Sequence, residues 1–134
     1  MEKKFRYLVL SSFVLYVLWF YFPYIDPLFF DEERLEVWGM SGFDAKLDFP
    51  VWSNYLWLAF WAVVALGLYQ FNAWSRELLI IGYILGYFLS PIYGSDIQSP
   101  LSASVGNLNT LIDGVILGMA YFSPVADRFN TRAT

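Results

Sequence analysis

Asp113 stands near the middle of an apolar run over residues 103–122. A charged carboxylate at the centre of a lipid-embedded helix costs on the order of 2.5 to 3.5 kcal/mol on insertion scales, so its position asks for a physical reason. On a helix, Asn109, Thr110 and Gly106 share the side of Asp113, which predicts a polar, small face turned inward. Counting depth along the other apolar runs places Ser11, Ser12 and Tyr16 of the first and Tyr83 and Tyr87 of the third at the same level. Their hydroxyls are the expected hydrogen-bond partners. Two chemistries fit such a cluster. One is a buried carboxyl, carrying its proton, that locks helix packing through hydroxyl partners. The other is a proton or cation site, as intramembrane acids often mark ion pathways.

The residue inventory narrows the alternatives. The chain has no Cys and no His. It therefore cannot supply thiol chemistry, a disulfide, a bis-His haem site, a His-rich metal cluster, or a Ser-His-Asp or Cys-His nucleophile. A Ser-Lys pair would need Lys3, Lys4 or Lys46, all outside the apolar runs. There is no phosphate-cradling glycine loop, repeat or low-complexity tract. No metal, cofactor or nucleic-acid partner is expected, and no catalytic motif supports an enzyme.

The elements that must position the acid follow from composition. Of 134 residues, 58% are hydrophobic, 22% aromatic and only 15% charged, against about 25% charged in soluble domains. The apolar residues lie in blocks without the polar stripe of an amphipathic helix, so the bilayer is the expected solvent and partner. Four blocks are drawn, at residues 5–22, 52–71, 74–93 and 103–122, against about 20 residues for a spanning helix. The strictly apolar part of the third, Leu78 to Tyr93, is the shortest run. It crosses if its helix begins near Trp74 with Arg76 reaching back to the headgroups, and a re-entrant third segment is the alternative. The first block follows Lys3, Lys4 and Arg6, yet Tyr21, Phe22, Pro23 and Tyr24 occupy the place of a signal-peptide cleavage site, so it reads as a retained span.

Lys3, Lys4, Arg6, Arg76, Arg128 and Arg132 fall on one side of these spans and only Arg34 and Lys46 on the other. The positive-inside rule then puts both termini in the cytoplasm. The expected fold is a single all-α membrane domain over residues 1–134, a four-transmembrane-helix bundle. Trp19, Tyr21, Tyr24, Trp52 and Tyr55 would mark its outer boundary, Trp74 and Tyr121 its inner one. In the extracytoplasmic loop, residues 23–51, Asp26 followed by Pro27 reads as a helix start and Gly39 as its stop. That segment is either a short interfacial helix covering the bundle or an acidic docking surface in which Asp31, Glu32, Glu33 and Glu36 meet a basic partner. Gly82, Gly86 and Ser90 repeat every four residues in the third span, and Gly106, Thr110, Gly114 and Gly118 in the fourth. Such spacing lets backbones approach, so these helices are expected to pair tightly, or to offer one row as a homodimer seam.

The segment Leu111-Ile112-Asp113-Gly114-Val115-Ile116-Leu117-Gly118-Met119-Ala120-Tyr121-Phe122-Ser123-Pro124 resembles the last span of small four-span proteins of bacterial inner membranes. The turn Trp38-Gly39-Met40-Ser41-Gly42-Phe43 is similar to theirs more loosely. The resemblance implies a bacterial cytoplasmic-membrane bundle and no particular chemistry. Three function classes are carried forward. The first, which asks least of the inventory, is a non-catalytic protein that binds a partner, as an accessory subunit or an immunity-type protein. The second is a small proton- or cation-coupled transporter or channel using Asp113, for which a polar cavity reaching that residue is the decisive feature. The third is an enzyme acting on a lipid or quinone.

Overall fold

The computed structural model describes residues 1–31, 45, 50, 52–94 and 97–131, and these are helical throughout apart from turns and short connections. The order is α1 (Glu2–Phe20), α2 (Phe22–Ile25), a 3-10 turn (Asp26–Leu28), α3 (Trp52–Tyr69), α4 (Ala73–Tyr93), α5 (Pro100–Phe122) and α6 (Ala126–Thr131). α1 stops at Tyr21 because Pro23 cannot donate to the ladder and crowds the preceding turn, and α2 restarts with that proline in its first turn. α3 and α5 are long and apolar enough to cross a membrane. The segment from α1 through the 3-10 turn, bent by 57° at the break, makes a third if it counts as one span. α4, with 21 residues, is longer than the 18-residue α3, but Arg76 and Glu77 lower the apolarity of its first turns.

Much of the outer surface of these helices is apolar. Leu10, Val14 and Leu18 of α1, Val63 and Leu66 of α3, Ile84 and Phe88 of α4, and Leu111, Val115 and Phe122 of α5 are all exposed. A water-soluble chain rarely leaves apolar side chains uncovered on every helix. The buried core is small by comparison and concentrated at one end. There Phe5, Phe71 and Phe129 form a triangle, with ring centroids 5.5 Å (Phe5 to Phe71), 5.8 Å (Phe5 to Phe129) and 5.5 Å (Phe71 to Phe129) apart. Val125 and Ala120 close it from α5 and α6. The start of α1 and the final helix thus lie at the same end, where Arg128 Nε also pairs with Glu2 Oε1 at 2.7 Å. Arg76 reinforces this corner. Its guanidinium stands 5.0 Å from the Tyr121 ring centroid and donates to Ala120 O at 3.4 Å and Asn130 Oδ1 at 2.9 Å. It therefore fastens α4 to the end of α5 and to α6.

α1 is the central helix. α5 packs along it on one side and α3 on the other, α4 packs on α3, and α4 and α5 barely touch. The small-residue rows expected to join α4 to α5 are placed elsewhere. A Cβ on Gly82 would meet the rings of Phe60 and Trp61 of α3, and one on Gly106 would lie 3.1 Å from Trp19 Nε1 of α1. Both glycines make room for aromatic rings from neighbouring helices. Gly86, Gly114 and Gly118 face nothing within 4 Å of such a Cβ, and Ser90 and Thr110 are exposed. The rings that fill the grooves of α4 and α5 prevent a backbone-to-backbone seam. The initiating role expected of Asp26 is also replaced. It lies in the 3-10 turn without capping that turn, and its buried carboxylate accepts a hydrogen bond from Ser99 Oγ at 2.8 Å. Glu32, Glu33, Glu36, Gly39 and most of the expected docking loop lie outside the described residues, while Asp31 is exposed.

The α3–α4 hairpin is the tightest connection. Asn72 N–H reaches Gly67 O at 2.9 Å, and Phe71 takes a left-handed φ of 59°, a conformation that costs a non-glycine residue of order 1 kcal/mol and is offset here by burial of its ring. Ser75, fully buried, donates to Asn72 O at 2.6 Å. A Cβ on Gly67 would sit 2.6 Å from Ser75 Cβ and 2.7 Å from Trp74 Cη2, so backbone has to move. Gly67→Ala is expected to lower stability by about 1–3 kcal/mol, whereas Gly118→Ala leaves it unchanged; thermal unfolding of the two variants in detergent checks the contrast.

Candidate functional site

Asp113 sits on the inner face of α5, with 7% of its surface exposed. Three elements bring it donors. Ser12 Oγ of α1 donates to Oδ1, Tyr83 OH of α4 donates to Oδ2 at 2.5 Å, and Asn109 Nδ2, one turn earlier on α5, donates to Oδ2 at 3.2 Å. The carboxyl is thus the one point at which α1, α4 and α5 are joined by side-chain hydrogen bonds between described residues. Because Ser12 and Tyr83 are hydroxyls, each can turn to accept instead of donate. The cluster therefore satisfies both the ionised carboxyl and the carboxyl with its proton.

The placement separates residues that depth alone made equivalent. Ser12 is buried against Asp113, while Ser11, about 100° away around α1, is exposed. Tyr83 reaches Asp113, while Tyr87, one turn on, is 74% exposed. Thr110 is exposed and donates to Gly106 O of its own helix at 3.0 Å. Tyr16 is half-buried and stacks between Trp19 and Trp61, with centroid distances of 6.0 Å and 5.8 Å.

Asp113 also lines a cavity of about 330 Å³. That volume lies at the lower end of small-molecule sites, which run from about 300 to 1,000 Å³. Its floor is Val9, Leu68, Leu79 and Ile116, above the Phe5, Phe71 and Phe129 core. One wall is a row of aromatic rings: Trp19 and Tyr16 from α1, Trp61 from α3 and Tyr83 from α4, with Trp61 and Tyr83 5.3 Å apart. Among the described residues α4 contributes only Leu79 and Tyr83 to the lining, and no described residue of α4 beyond Tyr83 borders the cavity. Gln98 and Asn107, both exposed, stand at the upper end, where the cavity reaches the surface. The Asp26 to Ser99 bond holds the α1–α2 segment to the start of α5 nearby, and Ser99 Oγ also caps that helix by accepting from Ser102 N–H at 3.0 Å.

Among the described residues no Lys or Arg lines the cavity, and Asp113 is the one acid that does. Among the described residues no group of three metal-ligating side chains is brought together. One polar atom is left over: Asn109 Oδ1 is buried, belongs to a residue that lines the cavity, and has no hydrogen-bond partner among the described residues. Sequence reasoning missed Trp19, Trp61 and Gln98 as parts of the site. The spacing of Tyr16 and Trp19 by three residues on α1, and of Trp57 and Trp61 by four on α3, was the available signal. No family model, curated protein or solved structure matches the chain.

The hydrogen bonds to Asp113 are unequal in their consequences. Tyr83→Phe deletes the donor that joins α4 to the carboxyl and is expected to cost about 0.6 kcal/mol and at most about 1.7 kcal/mol, the average and the maximum for side-chain hydrogen bonds between membrane helices. Tyr87→Phe should be neutral, and unfolding of both variants in mixed micelles reads the difference.

Proposed function

We propose that this protein is a four-span integral membrane protein with both termini in the cytoplasm, in which Asp113 is the exchange site of a small proton- or cation-coupled transporter. The observation that carries the reading is that Asp113 is buried among donors and at the same time forms part of the wall of an open cavity, one lined mainly by apolar and aromatic side chains and not the polar cavity expected from the sequence. A carboxyl kept only for packing gains nothing from such access, while an exchange site requires it.

Several features support the arrangement in the bilayer. α4 has 21 residues, about 30 Å at the helical rise, and both of its charged residues lie at its start, leaving an apolar remainder long enough to be the fourth span. The end of the bundle where Glu2, Arg6, Arg76 and Arg128 gather carries most of the basic residues, which supports its facing the cytoplasm. The cavity then opens away from the cytoplasm. The titratable groups that face Asp113 are Tyr16 of α1 and Tyr83 of α4; α3 presents only Trp61, Val64, Ala65 and Leu68 to the cavity. Among the described residues no basic side chain faces the carboxyl, which suits a site that holds a proton or an external cation.

A partner-binding role without transport rests on the loop after Phe30, of which Asp31 is the exposed acid described. Flux separates the two readings. In proteoliposomes the wild type is expected to dissipate an imposed proton or monovalent-cation gradient, and Asp113→Asn to fall to the level of empty vesicles while keeping its helical content and unfolding temperature. Equal flux in both proteins, or none in either, removes the transport reading and turns the search to partners of the outer loop.

A further inference from the structure

The walls of the cavity say what kind of cation it takes. An inorganic divalent ion needs several oxygen ligands converging on one point, as the roughly six to eight that hold magnesium or calcium do. Here the carboxyl, two hydroxyls and one amide cluster at the base, and the rest of the lining is mainly apolar and aromatic. Four rings in a row, Trp19, Tyr16, Trp61 and Tyr83, lead to Asp113. Ring faces attract an organic cation through their quadrupole, an attraction that strengthens once water is excluded. The base also holds an acceptor in addition to the acid, the buried and unpartnered Asn109 Oδ1. Its residue is 8% exposed and lines the same space. An acceptor beside a carboxylate suits a protonated amine, which brings charge for Asp113 and an N–H for Asn109. Among the described residues α4 lines the cavity only at Leu79 and Tyr83, so with the bundle in a bilayer an apolar body attached to the amine has a route from the membrane on that side.

We propose that the cavity binds a lipophilic ammonium ion, a protonated amine on an aromatic or aliphatic body of about ten heavy atoms, small enough for the volume. Its nitrogen contacts Asp113 and Asn109 Oδ1, and its body lies along the row of rings. The inference rests on Asp113 being an exchange site. When the carboxyl carries its proton before binding, that proton leaves to the aqueous phase as the ammonium ion arrives, so charge balances in the site.

The test uses the full chain in lipid nanodiscs, with benzyldimethylammonium as probe and isobutylbenzene, its neutral carbon isostere, as control. Binding is read from the fluorescence of the cavity tryptophans and from the shift in unfolding temperature. The ammonium ion is expected to bind with saturation, to bind on the order of tenfold more weakly to Asp113→Asn, and to weaken several-fold in Trp61→Leu and in Asn109→Leu. Asp113→Glu keeps a carboxylate and is expected to retain binding, which guards against a variant that merely misfolds. Saturable binding of isobutylbenzene equal to that of the ammonium ion, or unchanged ammonium binding in a folded Asp113→Asn, overturns the proposal. If wild type passes protons through Asp113 but the ammonium ion neither binds nor competes with that flux, the inference fails and the transport reading stands. If Asp113→Asn alters neither binding nor flux, both fail.

Discussion

A carboxyl held in an apolar interior must find inside the protein the hydrogen bonds that water would otherwise give it, and the bundle is arranged around that demand. Asp113 takes one donor from α1, one from α4 and one from its own helix. α4 and α5 hardly pack on each other directly, so Tyr83 and Arg76 are the main ties between them, one to the carboxyl and the other to Ala120 O. In a lipid environment no hydrophobic gain accompanies helix association, which raises the weight of such polar contacts and of close ring packing. The same group that is costly to place in the middle of α5 is therefore the reason that three helices keep one relative arrangement.

The aromatic side chains explain why the bundle is closed at one end and open at the other. At the closed end Phe5, Phe71 and Phe129 meet each other across three segments and leave no space. Further along, Trp19 lies over Gly106 and Trp61 over Gly82, so the grooves that would have let α4 and α5 meet are occupied by rings attached to α1 and α3. Those rings hold the upper halves of α4 and α5 apart and form the wall of the space between them. Closure below and separation above together turn a packing acid into one that outside molecules can reach.

The helices were legible because long apolar runs are interrupted where polar residues cluster. The expected block over residues 52–71 compares with α3 at Trp52–Tyr69, and that over 74–93 with α4 at Ala73–Tyr93. α5 begins earlier than hydropathy indicated, at Pro100, because Ser99 caps it and proline is at ease in a first turn. Asp113 stands out as a charge in an apolar run and Asn109 by the helical face it shares, whereas Ser12 and Tyr83 follow from depth alone, and because depth gives a level and not a face, Ser11 and Tyr87 come with them. The buried series Phe5, Val9 and Ser12 follows a helical stripe that would have separated Ser12 from Ser11. Two features had no local signal. The Asp26 to Ser99 bond joins residues far apart in the chain, and the cavity depends on which groove each large ring enters.

The central claim is that Asp113 is buried and yet open to exchange through the cavity, and chemical modification tests it most directly. A hydrophobic carbodiimide adds to a carboxyl that carries a proton and that it can reach from the membrane. Applied to the protein in liposomes and followed by mass spectrometry of the α5 peptide, it should label Asp113 in the folded state, with less label when an ammonium ion is present. If Asp113 stays unmodified until the protein is unfolded, the carboxyl is sealed inside the bundle and its role is to hold the helices together.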